Sequence, residues 1–351
     1  MSINGAGAAQ TIIDGGGDAL KSRIFDISGP IQVEISGMTM QNGRPGQTGS
    51  GGGIFISSSG NSVVTLSNDI ISGCYSYAAG GIAVGSNLNL ISTTLINNRS
   101  TVAGGLLAGT GSVITITNSA IISNVSTGSN AGGGGLTLAG GAAAAIKRSV
   151  IAGNTSASDG GGIYSNAALI IEDSTISDNT TTLSGGGMYI ESGLTTLRNV
   201  TIAENIADGD QSSFGGGIYI IGYPVSLINS IVARNRASGQ APDCSGVLAS
   251  QDYNLIQQLS GCTLTGVLTH TITGSDPLLG PLQNNGGGTW TRALLPGSPA
   301  IDAGDNSACE PTDQRGLARP YDSLGHGAIC DIGAYEAHFI ARYSFLPVIQ
   351  R

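Results

Sequence analysis

The stretch GGGIYSNAALIIEDSTISDN, residues 160–179, contains the two phrases that decide the fold. A run of glycines comes before an aliphatic residue, and the pattern aliphatic-x-x-Ser/Thr-x-aliphatic-x-x-Asn then closes the stretch. Both phrases recur every 24 to 30 residues. This period is typical of a solenoid, in which each repeat forms one coil and contacts only its neighbours. The second phrase, with a valine at one position, ends at Asn98, Asn124, Asn154, Asn179, Asn205 and Asn235.

Alignment of the repeats on this Asn separates interior from exterior positions. The residues eight and three positions before it are always aliphatic, and the residue five positions before it is small. Apolar and polar residues alternate with period 2, which indicates strands and not helices. We therefore expect these three columns to face the interior. The column six positions before the Asn is mixed and is expected to face solvent; it contains Ser92, Asn118, Arg148, Asp173, Asn199 and Asn229.

Short strands at this spacing predict an all-β parallel β-helix of about nine coils over residues 1–240, each with roughly three strands stacked ~4.8 Å apart. Stacking places the six Asn residues above one another, so their amides should form a hydrogen-bonded ladder. Cys74 occupies the Asn position in an earlier coil and is expected to be a buried free thiol. The 57 glycines supply tight turns.

The composition changes near residue 240. Eight of the 11 prolines, four of the five cysteines and the single Trp290 follow that point. We therefore expect a separate module at residues 241–351 that caps the solenoid. Because proline-rich, irregular chain cannot build a deep core, we expect two disulfides there, Cys244–Cys262 and Cys309–Cys330.

Residues 11–43 resemble the opening of bacterial right-handed β-helix repeat proteins of the polymorphic outer-membrane-protein-like or pectate-lyase-like type, which implies a right-handed coil. Five motifs of the second module are similar to the choice-of-anchor Q domain of secreted bacterial proteins. The resemblance implies export to the cell surface and no defined reaction. The tail at residues 345–349 also resembles terminal segments of such proteins. The five motifs are DPLLGPL at 276–282, NNGG at 284–287, LPGSPAIDAG at 295–304, DQRG at 313–316 and CDIGAYE at 330–336.

The net charge of the chain and the motifs that it lacks argue against several classes of function. A net charge of −9 argues against nucleic acids and anionic membranes as partners. No apolar stretch is long enough to span a bilayer. Residues 1–10 lack a secretory signal, so an exported protein would carry its signal outside this sequence.

An enzyme on this fold would need catalytic groups, and the repeats do not contain a recognisable set of them. Acidic-sugar lyases need a Ca²⁺-binding carboxylate cluster and a base, and inverting glycosidases need two spaced carboxylates. Neither set recurs on neighbouring repeats. The Gly-His-Gly motif at 325–327 resembles one in pectin hydrolases but lies outside the repeats. The sequence therefore favours a non-enzymatic extracellular structural or adhesive protein. The alternative is a carbohydrate-active enzyme or a carbohydrate-binding protein.

Three tyrosines and two groups of carboxylates are the candidate ligand sites. Tyr164, Tyr189 and Tyr219 follow the glycine phrase in successive coils and should point outward, either to bind a polysaccharide or to pack on one another. Asp208 and Asp210 are a Ca²⁺ candidate in a long loop, with a solvated loop as the alternative. No other cofactor is expected. A second carboxylate group could hold Ca²⁺ or pair with arginines to pin loops over the open end; it comprises Asp302, Asp305, Asp313, Arg315, Arg319, Asp331 and Glu336.

The open ends of a parallel β-helix expose unpaired strand edges, which invite association. The sequence shows no amphipathic helix to cover the first coil. We therefore expect self-association, either end to end or by packing of the first coil on the C-terminal module of another protomer.

Overall fold

The computed structural model describes residues 1–46, 49–129, 132–209, 213–322 and 327–338. It confirms an all-β parallel solenoid of about nine coils. One α-helix, Gly17–Leu20, and one 3₁₀ turn, Asn306–Ala308, are the helical elements of these described ranges. No helix in them is long and apolar enough to cross a membrane.

Each coil carries strands on three main faces and, in seven coils, a two-residue strand on a fourth. Face 1 follows the glycine run and comprises Phe25–Ile27, Ile54–Ile56, Ile82–Val84, Leu106–Ala108, Leu136–Leu138, Ile163–Asn166, Met188–Ser192, Ile218–Ile220 and the first residues of Cys244–Gln251. Face 2 comprises Ser2–Asn4, Gln32–Ser36, Val63–Ser67, Asn87–Ile91, Val113–Thr117, Ala143–Lys147, Ala168–Glu172, Thr195–Arg198, Val225–Ile228, the rest of Cys244–Gln251, and Cys262–Val267.

Face 3 precedes the Asn column, and face 4 follows it. Face 3 comprises Ile12–Asp14, Thr39–Gln41, Ile70–Ser72, Thr94–Ile96, Ala120–Ile122, Val150–Ala152, Thr175–Ser177, Thr201–Ala203, Ile231–Ala233, Leu255–Ile256 and Ile272–Thr273. Face 4 comprises Tyr75–Ser76, Arg99–Ser100, Val125–Ser126, Thr155–Ser156, Thr180–Thr181, Ile206–Ala207 and Arg236–Ala237. An antiparallel pair, Leu279–Gln283 with Thr291–Leu294, lies outside the coils.

The strands pair in register, so like residues stack on like. Ile116, for example, lies opposite Leu90 in one neighbouring coil and Ile146 in the other. All twelve residues of the two aliphatic columns are at most 1% exposed. The interior assignment of these columns is therefore confirmed.

The Asn column forms the predicted ladder. The first five Nδ2 groups donate to Oδ1 of the next Asn at 2.9–3.0 Å, and all six donate to a backbone carbonyl of the preceding coil. The ladder begins at the backbone N–H of Cys74, which donates to Asn98, and it ends on the buried carboxylate of Asp243. Cys74 itself is buried and free, as predicted.

The glycine runs allow the turns to approach this ladder. Gly160 has a φ of +67°, which few other residues adopt at low cost. A Cβ at Gly162 would lie 2.6 Å from the carbonyl oxygen of Gly187 and 3.0 Å from Cγ of Asn179. The third glycine of the phrase is therefore required by close packing.

The column six residues before the Asn was expected in solvent, and for three of its members this is wrong. Asp173, Asn199 and Asn229 are fully buried. All six members have a φ between +42° and +52°, so this column forms the turn between faces 2 and 3. The C-terminal module covers the three buried members. The repeat pattern does not indicate where this module packs on the coils.

The coils continue beyond residue 240. Cys244–Gln251 pairs with strands of the previous coil, and Cys262–Val267 pairs with Cys244–Gln251. Pro242 lies in a turn, where it does not interrupt the strand ladder. The change of composition therefore does not mark the end of the solenoid, and the division into two domains stays a prediction.

The rest of the module lies along face 3. Arg292 donates to Asp178 and Ser177, Gln314 accepts from Thr175, and the backbone N–H of Ala334 donates to Thr201. A second apolar core joins Ile231, Ala233 and Leu255 to side chains of the module such as Leu279, Leu294 and Ile332. The described part of the module thus covers a side of the solenoid and not its end, because the coils present apolar side chains there.

Candidate functional site

The three tyrosines form a stacked row on face 1. The ring centroids of Tyr164 and Tyr189 are 5.2 Å apart, as are those of Tyr189 and Tyr219, with interplanar angles of 8° and 22°. All three side chains are half-buried. Because each ring covers the face of its neighbour, the row presents ring edges to the exterior. This geometry favours mutual packing, and ligand binding by these residues stays a prediction.

Two carboxylates lie beside this row. Glu191 accepts a hydrogen bond from the Tyr164 hydroxyl at 2.5 Å, and Asp159 accepts one from the backbone N–H of Ser184 at 2.9 Å. Burial, and then the nearby charge of Glu191, raise the pKa of Asp159. Burial also raises the pKa of the Tyr164 hydroxyl, and the hydrogen bond from this hydroxyl to Glu191 raises it further. The structure therefore gathers two carboxylates beside the tyrosine row.

A surface depression, which we call the Arg44 groove, lies between faces 3 and 1 of the first coils and includes the start of face 4. It has a volume of about 640 Å³ and is lined by residues that include Asp18, Lys21, Arg44, Tyr75 and Tyr77. The guanidinium of Arg44 lies over the ring of Tyr75, 4.6 Å from its centroid, and bonds Asp18 at 2.7 Å. The ring of Tyr77 is 53% exposed.

The Arg44 groove continues into a second depression of about 430 Å³ that shares Asp18, Arg44 and Tyr75 with it. The carboxylate of Asp14 lies there and accepts bonds from Gln41, Asn42 and the backbone of Gly16 at 2.8–3.0 Å. These hydrogen bonds, the one from Gln41 foremost, lower the pKa of Asp14. The repeat pattern missed this groove because Arg44 and Tyr75, which occupy equivalent positions of successive coils, are followed in that column by other residue types, Arg99 and Val125.

A third cluster joins the last two coils. The imidazole Nδ1 of His270 lies 2.8 Å from Oδ2 of Asp252, and the His270 ring stacks on Tyr253 at 4.4 Å. Burial acts to raise the pKa of Asp252, but its bonds from the backbone and ring of His270 lower it overall. Asp252 and Tyr253 both have positive φ values. The column position of Tyr253 and His270, one above the other, identifies this cluster as another coil-to-coil contact.

Arginines bind several of the carboxylates proposed as a Ca²⁺ site. Arg319, fully buried, bonds Glu336 at 2.8 Å and Asp173 at 3.4 Å, and Arg315 bonds Asp313 at 2.7 Å. No group of three metal-ligating side chains occurs within the residues that the structure describes. Asp208 lies in an exposed segment, while Asp210, the motif residues 325 and 326 and the tail at 345–349 lie outside the described residues.

Both predicted disulfides are present, Cys244–Cys262 and Cys309–Cys330. The first closes the last coil. The second lies at the contact between the module and the coils, where Asn199 and Asn229 direct their amides at Cys309. Both are consistent with an oxidising, extracellular location.

The two ends of the coil stack carry unpaired edges. Cys262–Val267 pairs on one side only, and no other strand of the described ranges contacts its outer edge. At the opposite end, Ser2–Asn4, Ile12–Asp14 and Phe25–Ile27 each pair with the following coil alone.

No family model matches this chain, and no curated protein matches it. Among solved structures it is similar to the crystal structure of pectate lyase Pel9A, with a TM-score of 0.48 and 15% sequence identity over 88% of each chain. At this identity no residue and no activity is transferred. Membership of the choice-of-anchor Q group stays a prediction.

Proposed function

We propose that this protein is an extracellular structural or adhesive protein that associates end to end. The observation that supports this proposal is the outer edge of Cys262–Val267, which no strand of the described residues pairs with, since the described part of the module lies along face 3. An unpaired strand edge binds another strand through its backbone groups. Within the described residues, Ser2–Asn4 likewise pairs on one side only and in parallel. The two disulfides support the extracellular assignment.

End-to-end association can be tested by substitution at the last coil. Leu264 points inward and packs on the end of the core. A lysine there would place a charge in the contact between chains, so Leu264→Lys should abolish association. Val113→Lys is the matched control, because Val113 is exposed on the flat side of face 2. We expect light scattering and electron microscopy to show elongated assemblies for the parent and Val113→Lys only. A monomeric parent at high concentration would overturn the proposal.

Asp159 and Glu191 favour a second candidate function, that of a polysaccharide-cleaving enzyme. The two carboxylates lie beside one row of tyrosines, and the cleavage of a glycosidic bond commonly uses two carboxyl groups. Release of new chain ends from a panel of polysaccharides would support this candidate, provided that Glu191→Gln abolishes it and Glu204→Gln, on another face, does not. If the parent releases no new chain ends from any polysaccharide of the panel, this candidate function is excluded.

A further inference from the structure

We propose that the Arg44 groove binds an uncharged polysaccharide. This inference is independent of the end-to-end association proposed above. The groove and the depression that continues it share three lining residues, so together they form one continuous depression that is larger than either part. A continuous depression of this size suits a segment of a polymer.

The groove combines an exposed ring with fixed polar groups. Tyr77 offers more than half of its surface to solvent, whereas the neighbouring Tyr75 is covered by Arg44. An exposed aromatic ring beside planar charged groups is the arrangement that suits a sugar, whose C–H face stacks and whose hydroxyls bond. Tyr77 therefore differs from Tyr189, whose ring is stacked between two others.

The polar groups are already oriented. Three donors from the protein hold the carboxylate of Asp14, and Arg44 is held between Asp18 and the ring of Tyr75. A ligand that meets groups fixed in this way loses less entropy on binding than one that must order them. Carboxylates such as Asp14 accept from neighbouring hydroxyls, and Arg44 donates to ring and hydroxyl oxygens.

The charges of the groove specify the class of polysaccharide. Asp14 and Asp18 are balanced by Lys21 and Arg44, and the chain as a whole carries a net charge of −9. A polyuronate would meet two fixed carboxylates and an acidic protein, and a polycation would meet Arg44 and Lys21. An uncharged polymer avoids both repulsions, since it needs donors and acceptors without net charge.

The test is binding of soluble neutral polysaccharides, such as a mixed-linkage glucan, a xylan and a galactomannan, with polygalacturonate as the charged comparison. We expect at least one neutral polymer to bind and its affinity to fall about tenfold in Tyr77→Ala, which removes the stacking surface. Tyr223→Ala, at a similarly exposed tyrosine away from the groove, should bind like the parent. Unchanged thermal unfolding would show that both variants are folded.

Salt separates the two ligand classes. Binding of a neutral polymer should be the same at low and high ionic strength, whereas binding of a polyanion weakens as salt rises. Retention of polygalacturonate in preference to every neutral polymer would overturn the proposal. Equal binding by the parent and Tyr77→Ala, or no binding of any neutral polymer, would do the same. None of these results depends on whether the chains associate end to end.

Discussion

The coils and the C-terminal module of this protein are stabilised by different kinds of interaction. In the coils, the Asn ladder repeats one hydrogen bond many times, each between residues 25 to 30 positions apart. The bonds between module and coils join residues up to 146 positions apart, and each is of its own kind. Stability is therefore distributed evenly along the coils and concentrated at a few contacts of the module.

Arg319 is the centre of the module contact. It is fully buried and bonds Glu336 at 2.8 Å, the carbonyl of Gly333 at 2.9 Å and Asp173 of the coils at 3.4 Å. The Asn ladder has no such centre, because each amide bonds only the coils next to it. The comparison predicts that one substitution can release the module, whereas no single rung is essential to the coils.

The largest expected effect follows from Arg319→Met. Loss of this cation leaves Glu336 and Asp173 buried without their partner, which typically costs about 3 to 5 kcal/mol. Fluorescence of the single Trp290, which lies in the module, should show a shift of denaturant unfolding to lower concentration. Arg198→Met is the control, because that half-exposed arginine makes a surface pair worth about 1 kcal/mol at most. Equal effects of the two substitutions would contradict a concentrated module contact.

The next effect concerns pH. Burial raises the pKa of Asp173 to about 7, with Arg319 and Lys147 acting in the opposite direction. The folded protein therefore binds more protons than the unfolded chain between about pH 4 and 7, and the module contact should weaken as pH rises through this window. Asp173→Asn should flatten the profile reported by Trp290. Burial and the charge of Glu336 also raise the pKa of Asp331, to about 8, so part of the slope should remain in Asp173→Asn and extend to about pH 8. Parallel profiles for the parent and Asp173→Asn would rule out this role for Asp173.

A smaller effect is expected within the coils. Asn179→Ala removes one rung and leaves the backbone N–H of Asn154 without its acceptor, at a cost of about 1 to 3 kcal/mol. Asn89→Ala is the control, since Asn89 bonds Thr65 and Thr115 on the outside of face 2, where water replaces lost partners. Far-ultraviolet circular dichroism during thermal unfolding measures both. If the two variants unfold alike, the interior ladder is not a major source of stability.

The sequence predicted the coils well because, in a solenoid, each residue packs against the equivalent residue of the next repeat. The burial of Leu95 or Ile146 and the ladder through Asn179 follow from the period alone. The two cysteine pairs followed from the same division of the chain into regular and irregular parts.

Contacts between unlike segments could not be predicted in this way. The burial of Asp173 depends on Arg319, which follows it by 146 residues and shares no repeat with it. The Arg44 groove was missed for a related reason: Arg44 and Tyr75 occupy equivalent positions of neighbouring coils, but the later coils have other residue types at that position. The repeat period identifies the positions that all coils share, whereas the candidate sites are formed by residues that differ from coil to coil.

The smallest effect distinguishes the two interpretations of the tyrosine row. If Tyr189 serves to stack coils, Tyr189→Ala should cost about 1 kcal/mol of stability, the range measured for aromatic pairs, and leave polysaccharide binding unchanged. Tyr189→Phe keeps both stacking contacts and should unfold like the parent. Burial raises the pKa of Tyr189 to about 12, so a spectroscopic titration of Tyr189→Phe should show one late-titrating phenolate fewer than that of the parent. Loss of polysaccharide binding in Tyr189→Ala without loss of stability would show that the tyrosine row binds the ligand. Face 1, and not the Arg44 groove, would then be the binding surface.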